Sequence, residues 1–214
     1  GPGGTTQEDQ VADEPVTGLD VACDAVLGDG CPAGSTRRSS ADLVEAFSDP
    51  DVPHDVLVAP AIVVQMIEES GRSSATLSEE RPTVATTPIV LVVAAGREAD
   101  VTACGTTWTC ASTLVTAGDL RPAFADPSTD TAGITSAVVT EAEALDVTAR
   151  AAQNVPVILY PEPLASLSVV AVAVGDTDPA DAAQVGDQAG DRLRDAGWRG
   201  PDGASSEGGP ALGD

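Results

Sequence analysis

The pattern of apolar and amphipathic segments predicts an α/β fold. Short runs that are apolar throughout, such as 55–60 and 88–96, are typical of strands covered on both faces of a sheet. Segments with apolar residues at helical spacing, such as 39–49, alternate with these runs. Alternation of the two kinds along one chain indicates helices packed on both faces of a largely parallel sheet.

The elements follow in order after a polar, acidic segment over 1–15, which we expect to be disordered. The predicted strands are 18–23, 55–60, 88–96, a short strand within 120–127, 155–161 and 167–174. The predicted helices are 39–49, 61–72, 131–153 and a last one that begins at 179. The Gly-, Ser- and Pro-rich stretch over 204–214 is typical of a flexible tail or linker.

The last helix has the strongest signals. Asp178 is a good N-cap residue, and Pro179 suits the first helical position. Gly197 is expected to end the helix. The predicted buried face consists of Ala182, Val185, Ala189 and Leu193.

Composition excludes several classes of partner. The net charge is −24, and all ten basic residues are Arg. A surface of this charge gains nothing from counterion release, so we expect no binding to nucleic acid or anionic lipid. The longest apolar runs have about seven residues, whereas a membrane-spanning helix needs about 20.

The four cysteines form two close pairs in sequence, Cys23 with Cys31 and Cys104 with Cys110. Neither pair has the CxxC spacing of a zinc site, and the single histidine, His54, is distant from both. Two local disulfides in an exported protein fit better, although four cysteines allow three connectivities. Each disulfide, by closing a short loop, would stabilise the fold by roughly 2–3 kcal/mol.

The stretch FADPSTDTAG, residues 124–133, is the first candidate for a ligand site. Ser128 and Thr129 precede the predicted helix 131–153 and Thr131 begins it, and a helix start carries free N–H groups that suit an anion or a hydroxyl. The same residues can serve only as the helix cap. The residues alone leave both readings open.

Three further places have similar chemistry. Arg37 and Arg38 stand just before Ser39 and Ser40, where a helix is predicted to begin; they are either counter-charges for an anion or solvated loop residues. The other two are the helix start at Ala61 and the strand entry at Thr87. No catalytic motif is present, and no Ser or Cys can be assigned as a partner for His54, so we expect no enzyme.

Taken in order, several motifs resemble the type II solute-binding proteins, especially the molybdate-like and extracellular domains of high-GC Gram-positive bacteria. The motifs are SSADLVEAF, DVLVAP, TTPIVLVVAAG, FADPSTDTAG, VPVILYP and RLRDAGWRGPDG. The resemblance implies three-layer α/β/α lobes, with lobe one over 16–90 plus 162–203 and a reduced lobe two over 91–161. It also implies a ligand between the lobes, near Ser39, Ser40, Ala61, Thr87, Ser128, Thr129, Thr131 and Tyr160.

The function that the resemblance implies is capture of a small polar or anionic solute outside the cell by a chain tethered to the envelope. The expected partners are the solute, such as an oxyanion or a sugar, and a membrane permease or envelope protein. We expect a monomer without a cofactor. The alternative is a surface interaction module that keeps the fold without a small ligand, which the reduced lobe two and the linker-like tail favour.

Overall fold

The computed structural model describes residues 18–70, 75–120, 122–123, 136–204 and 209–212, and confirms the α/β prediction. The strands are β1 Val21–Asp24, β2 Thr36–Arg38, β3 Val56–Pro60, β4 Thr83–Val93, β5 Pro122–Ala123, β6 Ser136–Thr140, β7 Val157–Leu159 and β8 Ala165–Ala173. The helices are α1 Ser40–Ala46, α2 Ala61–Glu69, α3 Glu98–Thr102, α4 Trp108–Ala117, α5 Glu141–Arg150 and α6 Pro179–Asp195, with a 3₁₀ turn at Ala25–Gly30.

One mixed sheet carries all these strands in the order β2-β1-β3-β8-β4-β6-β5, with β7 also paired to β4. β1, β2 and β3 are parallel, but β8 is antiparallel to both β3 and β4. The predicted burial of the apolar strands is confirmed, whereas the expectation of a largely parallel sheet is wrong for the central pairs. Helices cover both faces there, and burial on both faces selects apolar residues whatever the strand direction.

The first region of the molecule contains β1, β2, β3, β8 and the beginning of β4. Alternate residues of β8 point to opposite faces, as a strand requires. Val169 and Ala171 pack with the 3₁₀ turn and α6, whereas Val170 and Val172 pack with α1 and α2. This region is therefore a sheet between two helical layers.

β4 continues from the first region into a second region. Its residues 83–89 pair with β8, and its residues 89–93 pair with β6, with 91–93 also paired to β7. Two smaller buried clusters flank this second part of the strand, one under α3 and α4 and one under α5. The lobe boundaries inferred from the resemblance stay a prediction, but the buried clusters do separate along β4.

The predicted helix 131–153 is wrong in its first part, as far as the described residues show. Residues Ser136–Thr140 form β6, and the helix begins only at Glu141. The sequence SAVVT is rich in β-branched residues and pairs with β4, which outweighs the helical pattern. Thr140 and Glu143 form a capping box, which fixes the true helix start.

The last helix matches its prediction. The Asp178 side chain accepts a hydrogen bond from the Ala180 N–H, Pro179 is in the first turn, and Gly197 has a φ of +92° just after the helix. All four residues of the predicted apolar face are buried. Within the described part of the chain, no helix combines the length and the apolarity needed to span a membrane.

The two cysteine pairs are bonded as predicted. Cys23 is joined to Cys31, with 5.8 Å between the Cα atoms, and Cys104 to Cys110, with 6.0 Å. The first bond fastens the 3₁₀ turn to β1, and the second fastens α3 to α4. Disulfides of this kind are typical of proteins that fold in an oxidising compartment.

Candidate functional site

The parallel strands of the first region have their carboxyl ends on the same side of the sheet. Four of the predicted ligand residues lie at or just beyond the level of these strand ends. Ser39 and Ser40 follow β2, and both are engaged in local structure. The Ser39 hydroxyl accepts from the Asp42 N–H at 3.1 Å, as an N-cap does. The Ser40 hydroxyl donates to a carboxylate oxygen of Asp24 at 2.7 Å, which ties α1 to the end of β1.

Ala61 and Thr87 differ sharply in exposure. Ala61 is exposed at the start of α2, and no side chain caps that helix because Pro60 occupies the N-cap position. Thr87 is fully buried in β4, where its hydroxyl oxygen accepts from the Ala142 N–H at 3.4 Å. The Thr87 hydroxyl is thus used to hold the first turn of α5.

Of the four remaining predicted ligand residues, the structure describes one, Tyr160. Ser128, Thr129 and Thr131 lie outside the described residues. Tyr160 lies just after β7, and its hydroxyl donates to Glu141 Oε2 at 2.7 Å. Tyr160 therefore belongs to a buried polar cluster, which we call the joint and define as Glu141, Tyr160 and Arg199.

The joint centres on an ion pair that the sequence did not reveal. Arg199 Nη2 is 2.6 Å from Glu141 Oε2, and Arg199 Nε is 2.8 Å from Glu141 Oε1. The two side chains are only 3% and 4% exposed, so the pair is almost fully removed from water. The only signal in the sequence was Arg199 within the motif AGWRGPDG, which the resemblance treated as a fold signature rather than as a partner for Glu141.

The joint connects the two regions of the molecule. Glu141 opens α5, which packs under the second region. Arg199 follows α6 of the first region and pairs with β4 through two backbone hydrogen bonds to Thr86, of 2.8 and 3.1 Å. The start of α5 is therefore fixed to the end of the first region by charge and by backbone bonds together.

Part of the C-terminal stretch lies against the joint. Arg199 Nη1 donates to the carbonyl oxygens of Gly203 at 2.9 Å and Pro210 at 2.5 Å. Gly209 approaches so closely that a Cβ there would lie 2.7 Å from Arg199 and 2.8 Å from the Tyr160 hydroxyl. Residues 209–212 of the predicted flexible tail thus contact the body of the protein.

The environment of the joint changes the pKa of each of its groups. Burial raises the pKa of Glu141, but hydrogen bonds from Arg199 and Tyr160, with the Arg199 charge, outweigh burial and hold that pKa below its ordinary value. Burial, followed by the hydrogen bond to Glu141, raises the pKa of Tyr160 to about 12. The hydrogen bond to Glu141 raises the pKa of Arg199. At neutral pH the ion pair is therefore fully charged.

A groove of about 670 Å³ lies next to the joint, between the two regions. One wall is the 3₁₀ turn at Val26–Asp29, and the other is the first half of α5, Thr140–Asp146. Leu167 lies on the same face of β8 as Val169 and lines the groove between these walls. The end of α6 and Trp198 close it at one side. None of the predicted ligand residues that the structure describes lines this groove, because no pattern in the sequence connects 26–29 with 140–146.

The lining of the groove combines apolar side chains with negative charge. Leu27, Leu145, Leu167 and Trp198 supply apolar surface. Carboxylates lie on both walls and at the end of α6, and none of the lining residues is basic. In the described part of the chain, no group of His, Cys, Asp or Glu residues is arranged to hold a metal ion. Arg side chains stand beside two of these acidic residues: Arg150 pairs with Asp146, and Arg37 and Arg192 lie next to Asp29.

Of the other residues considered in the sequence, His54 and Arg37 have acidic neighbours, but His54 Nε2 and Arg38 Nε are buried without a hydrogen-bond partner among the described residues. His54 is buried, with Nδ1 2.6 Å from an Asp20 carboxylate oxygen, and its ring stacks on Phe47. Arg37 lies in β2, 3.8 Å from the exposed Asp29 carboxylate. Neither arrangement places a nucleophile beside a base.

No family model and no curated protein sequence matches the chain. Similar solved structures include the sulfate-binding protein SubI from Mycobacterium tuberculosis, with 15% identity, 85% of this chain and 86% of that chain covered, and a TM-score of 0.49. A sulfate-bound mutant regulatory domain of OxyR2 from Vibrio vulnificus has 11% identity, with 81% and 95% covered and a TM-score of 0.48. The chloride-bound XAC2383 from Xanthomonas citri has 8% identity, with 84% and 90% covered and a TM-score of 0.44.

All three TM-scores are below 0.5, so the likeness is weak even at the level of the fold. These neighbours are a binding protein, a regulatory domain and an ion-bound protein. The likeness is one of fold.

Proposed function

We propose that the chain is a solute-binding domain that works outside the cytoplasm and takes a small polar solute between its two regions. The observation that carries the proposal is the groove of about 670 Å³, whose walls come from both regions. Sites for small molecules usually have volumes of about 300–1,000 Å³ and combine apolar walls with a few polar groups. The groove has both properties.

The joint supports this proposal because it sets the distance between the groove walls. Thr87 and the Glu141–Arg199 pair hold the first turn of α5 against the first region. The groove is therefore formed before a ligand arrives, which lowers the entropic cost of binding. The two disulfides support export from the cytoplasm. As the resemblance implies, the proposal also includes tethering of the chain to the envelope and delivery of the solute to a permease.

An anionic solute, the other option raised by the sequence, would need a different position. Arg199, which is buried, is already bonded to Glu141 and to two carbonyl oxygens. Among the described residues, Arg38 Nε at the end of β2 has no hydrogen-bond partner, and positive character is also free at the uncapped start of α2 at Ala61. Ala61→Glu would place a carboxylate there and abolish anion binding, whereas Ala180→Glu, at the capped start of α6, would leave it unchanged.

A thermal-shift panel of oxyanions, sugars, amino acids and organic amines tests the proposal on the full chain. A ligand at 100 times its Kd stabilises the folded state by about 2.7 kcal/mol, which is a shift of about 5–10 °C for this size. Leu145→Trp, which fills the groove, should abolish the shift. Met66→Trp, on the exposed face of α2, is the matched control and should keep it. No shift from any solute class contradicts the proposal.

One observation favours the alternative of a protein-interaction module. Ile62 and Met66 are one helical turn apart on α2 and are 52% and 49% exposed. Two neighbouring apolar side chains on an outer helix face are suited to contact with another protein. If Ile62→Ser/Met66→Ser prevents capture of an envelope partner while the solute panel gives no shift, the alternative replaces the first proposal.

A further inference from the structure

A short segment of the C-terminal stretch is held against the joint by specific contacts. This segment consists of the described residues 209–212, which we call the strap. The strap belongs to no helix and no strand. Its position therefore depends on the contacts that it makes with the joint and with Gly203, and each of these contacts selects a particular residue of the strap.

The first contact is a hydrogen bond from Arg199 to the backbone of the strap. Arg199 Nη1 donates to the Gly203 carbonyl oxygen at 2.9 Å and to the Pro210 carbonyl oxygen at 2.5 Å. Nε and Nη2 of the same side chain are engaged by the Glu141 carboxylate. A buried guanidinium N–H needs an acceptor. The Pro210 carbonyl oxygen thus fills a position that the joint and Gly203 leave open.

The second contact requires glycine at position 209. A Cβ there would lie 2.7 Å from Arg199 Nη2 and 2.8 Å from the Tyr160 hydroxyl oxygen. These two atoms cannot easily move apart, because both are bonded to Glu141 Oε2, at 2.6 and 2.7 Å. The gap beside the joint therefore admits a glycine and excludes larger residues.

The third contact places Leu212 over Gly203. A Cβ on Gly203 would lie only 2.9 Å from the Leu212 Cβ atom and 3.3 Å from Cδ1. Gly203 is buried, whereas Ala211 of the strap is exposed. The missing side chain at position 203 thus makes room for Leu212, and the residue at position 211 is free to vary.

The chemistry of the strap suits an occupant that binds and leaves. Pro210 has a fixed φ, so less conformational entropy is lost when the strap is ordered. A segment of four residues without helix or sheet hydrogen bonds also opens at a low free-energy cost compared with the core. The strap therefore has the properties of a ligand that is attached to its own site.

We propose that the joint and Gly203 form a binding cradle for a short peptide of the pattern Gly-Pro-x-Leu, and that the strap is its ligand within the same chain. The inference goes beyond the proposed function, because it needs no solute in the groove. The joint also holds the first turn of α5, which forms one wall of the groove. Binding and release of the strap therefore act on the position of that wall.

The probe is the end-blocked peptide Gly-Gly-Pro-Ala-Leu-Gly, which has the sequence of residues 208–213. An attached segment has an effective concentration on the order of millimolar, so the unmodified protein should exclude the free peptide. Gly209→Val in the full chain should displace the strap and empty the cradle. Saturation-transfer NMR, which detects weak binding, should then show an affinity at least about tenfold higher than for the unmodified protein, with the strongest signal at the leucine methyl groups.

Two controls test whether the strap is recognised residue by residue. Ala211→Val changes the exposed position of the same segment and should exclude the peptide as the unmodified protein does. A peptide with valine in place of its second glycine should not bind to Gly209→Val. Circular dichroism checks the fold of each variant, and Leu212→Ser, which removes only an outer contact, replaces Gly209→Val if that variant is misfolded.

Each contrary result would overturn the inference in a different way. No peptide binding by a folded strap variant would show that the cradle is not a site. Equal binding by the unmodified protein and Gly209→Val would show that the strap does not occupy it. Equal binding of the glycine and valine peptides would show that the gap at Gly209 selects nothing. The solute panel tests the proposed function separately, so these results leave it intact.

Discussion

The two regions that β4 connects are stabilised by different interactions. The first region has apolar clusters on both faces of its sheet, with Leu57, Phe47 and Ile67 fully buried. The second region has smaller clusters, under α3 and α4 on one side and α5 on the other. A disulfide links two short helices within it, and the polar joint attaches it to the first region.

The difference shows how a small region can keep a defined position without a large core. Burial of apolar surface is non-directional and scales with area, so a small cluster contributes little. A buried, bidentate ion pair is directional, and breaking one partner is costly. The joint thus fixes the orientation of α5, and with it the width of the groove.

The largest effect is expected from breaking the joint. Arg199→Met leaves Glu141 buried without its counter-charge, which should lower the free energy of unfolding by about 3–5 kcal/mol. Arg150→Met breaks the exposed pair with Asp146 and should cost less than about 1 kcal/mol. Urea unfolding followed by circular dichroism measures both.

A second variant tests whether the loss of stability in Arg199→Met comes from the buried charge of Glu141. In Arg199→Met/Glu141→Gln, no charge is left buried, so most of the lost stability should return. A loss below about 1 kcal/mol in the single variant would show that the joint does not hold the regions together.

The next effect compares the cores directly. Leu57 and Leu120 are both fully buried, one in each region. Leu57→Ala should cost about 4–5 kcal/mol, because the packed sheet between two helical layers cannot collapse into the cavity. Leu120→Ala should cost about 2–3 kcal/mol, because the smaller cluster can relax. Equal losses in urea unfolding would remove the proposed contrast.

The disulfides should differ in accessibility more than in stabilisation. They close loops with separations of 8 and 6 residues, so each should contribute about 2–3 kcal/mol. Cys23 and Cys31 are fully buried, whereas Cys104 is exposed. Mild reduction of the native protein followed by alkylation and mass spectrometry should therefore label Cys104 and Cys110 first. Simultaneous labelling of all four would contradict this order.

Of the predicted changes, ionisation of the Tyr160 hydroxyl should have the smallest effect on the stability at neutral pH. Burial and Glu141 raise the pKa of Tyr160 from 10.0 to about 12. Because the folded-state pKa is above the unfolded one, the stability it contributes is complete below pH 10 and is lost as the pH rises through about 12.

The chain has one tyrosine, so phenolate absorbance reports on Tyr160 alone. Its midpoint in the native protein should lie near pH 12 and fall towards 10 in Glu141→Gln. A midpoint near pH 10 in the unmodified protein would mean that the hydroxyl faces water.

The sequence predicted the first region much better than the second. α6 was correct from its N-cap at Asp178 to its end at Gly197, because these signals are local to the helix. The error at 131–153 arose where local and long-range preferences compete. Residues Ser136–Thr140 fit a helical pattern, but their pairing with β4 makes them a strand.

The candidate site was predicted only in part. Ser39 and Ser40 were correctly placed at a helix start, yet their hydroxyls hold α1 and β1. Thr87 and Tyr160 were selected as ligand residues; Thr87 takes part in the contact between the two regions, and Tyr160 bonds to Glu141 within the joint. Whether Ser128, Thr129 and Thr131 contact a ligand remains a prediction.

By itself, the sequence indicated the α/β class, favoured the local disulfide pairs, placed the caps of α1 and α6, and through its net charge led us to expect no binding to nucleic acid. Each of these depends on residues that are close in the chain or on total charge. Only the tertiary structure decided that Glu141 meets Arg199 and that the 3₁₀ turn at Val26–Asp29 faces α5. Those contacts join residues far apart in sequence, and they depend on how the two regions pack along β4, which no local pattern encodes.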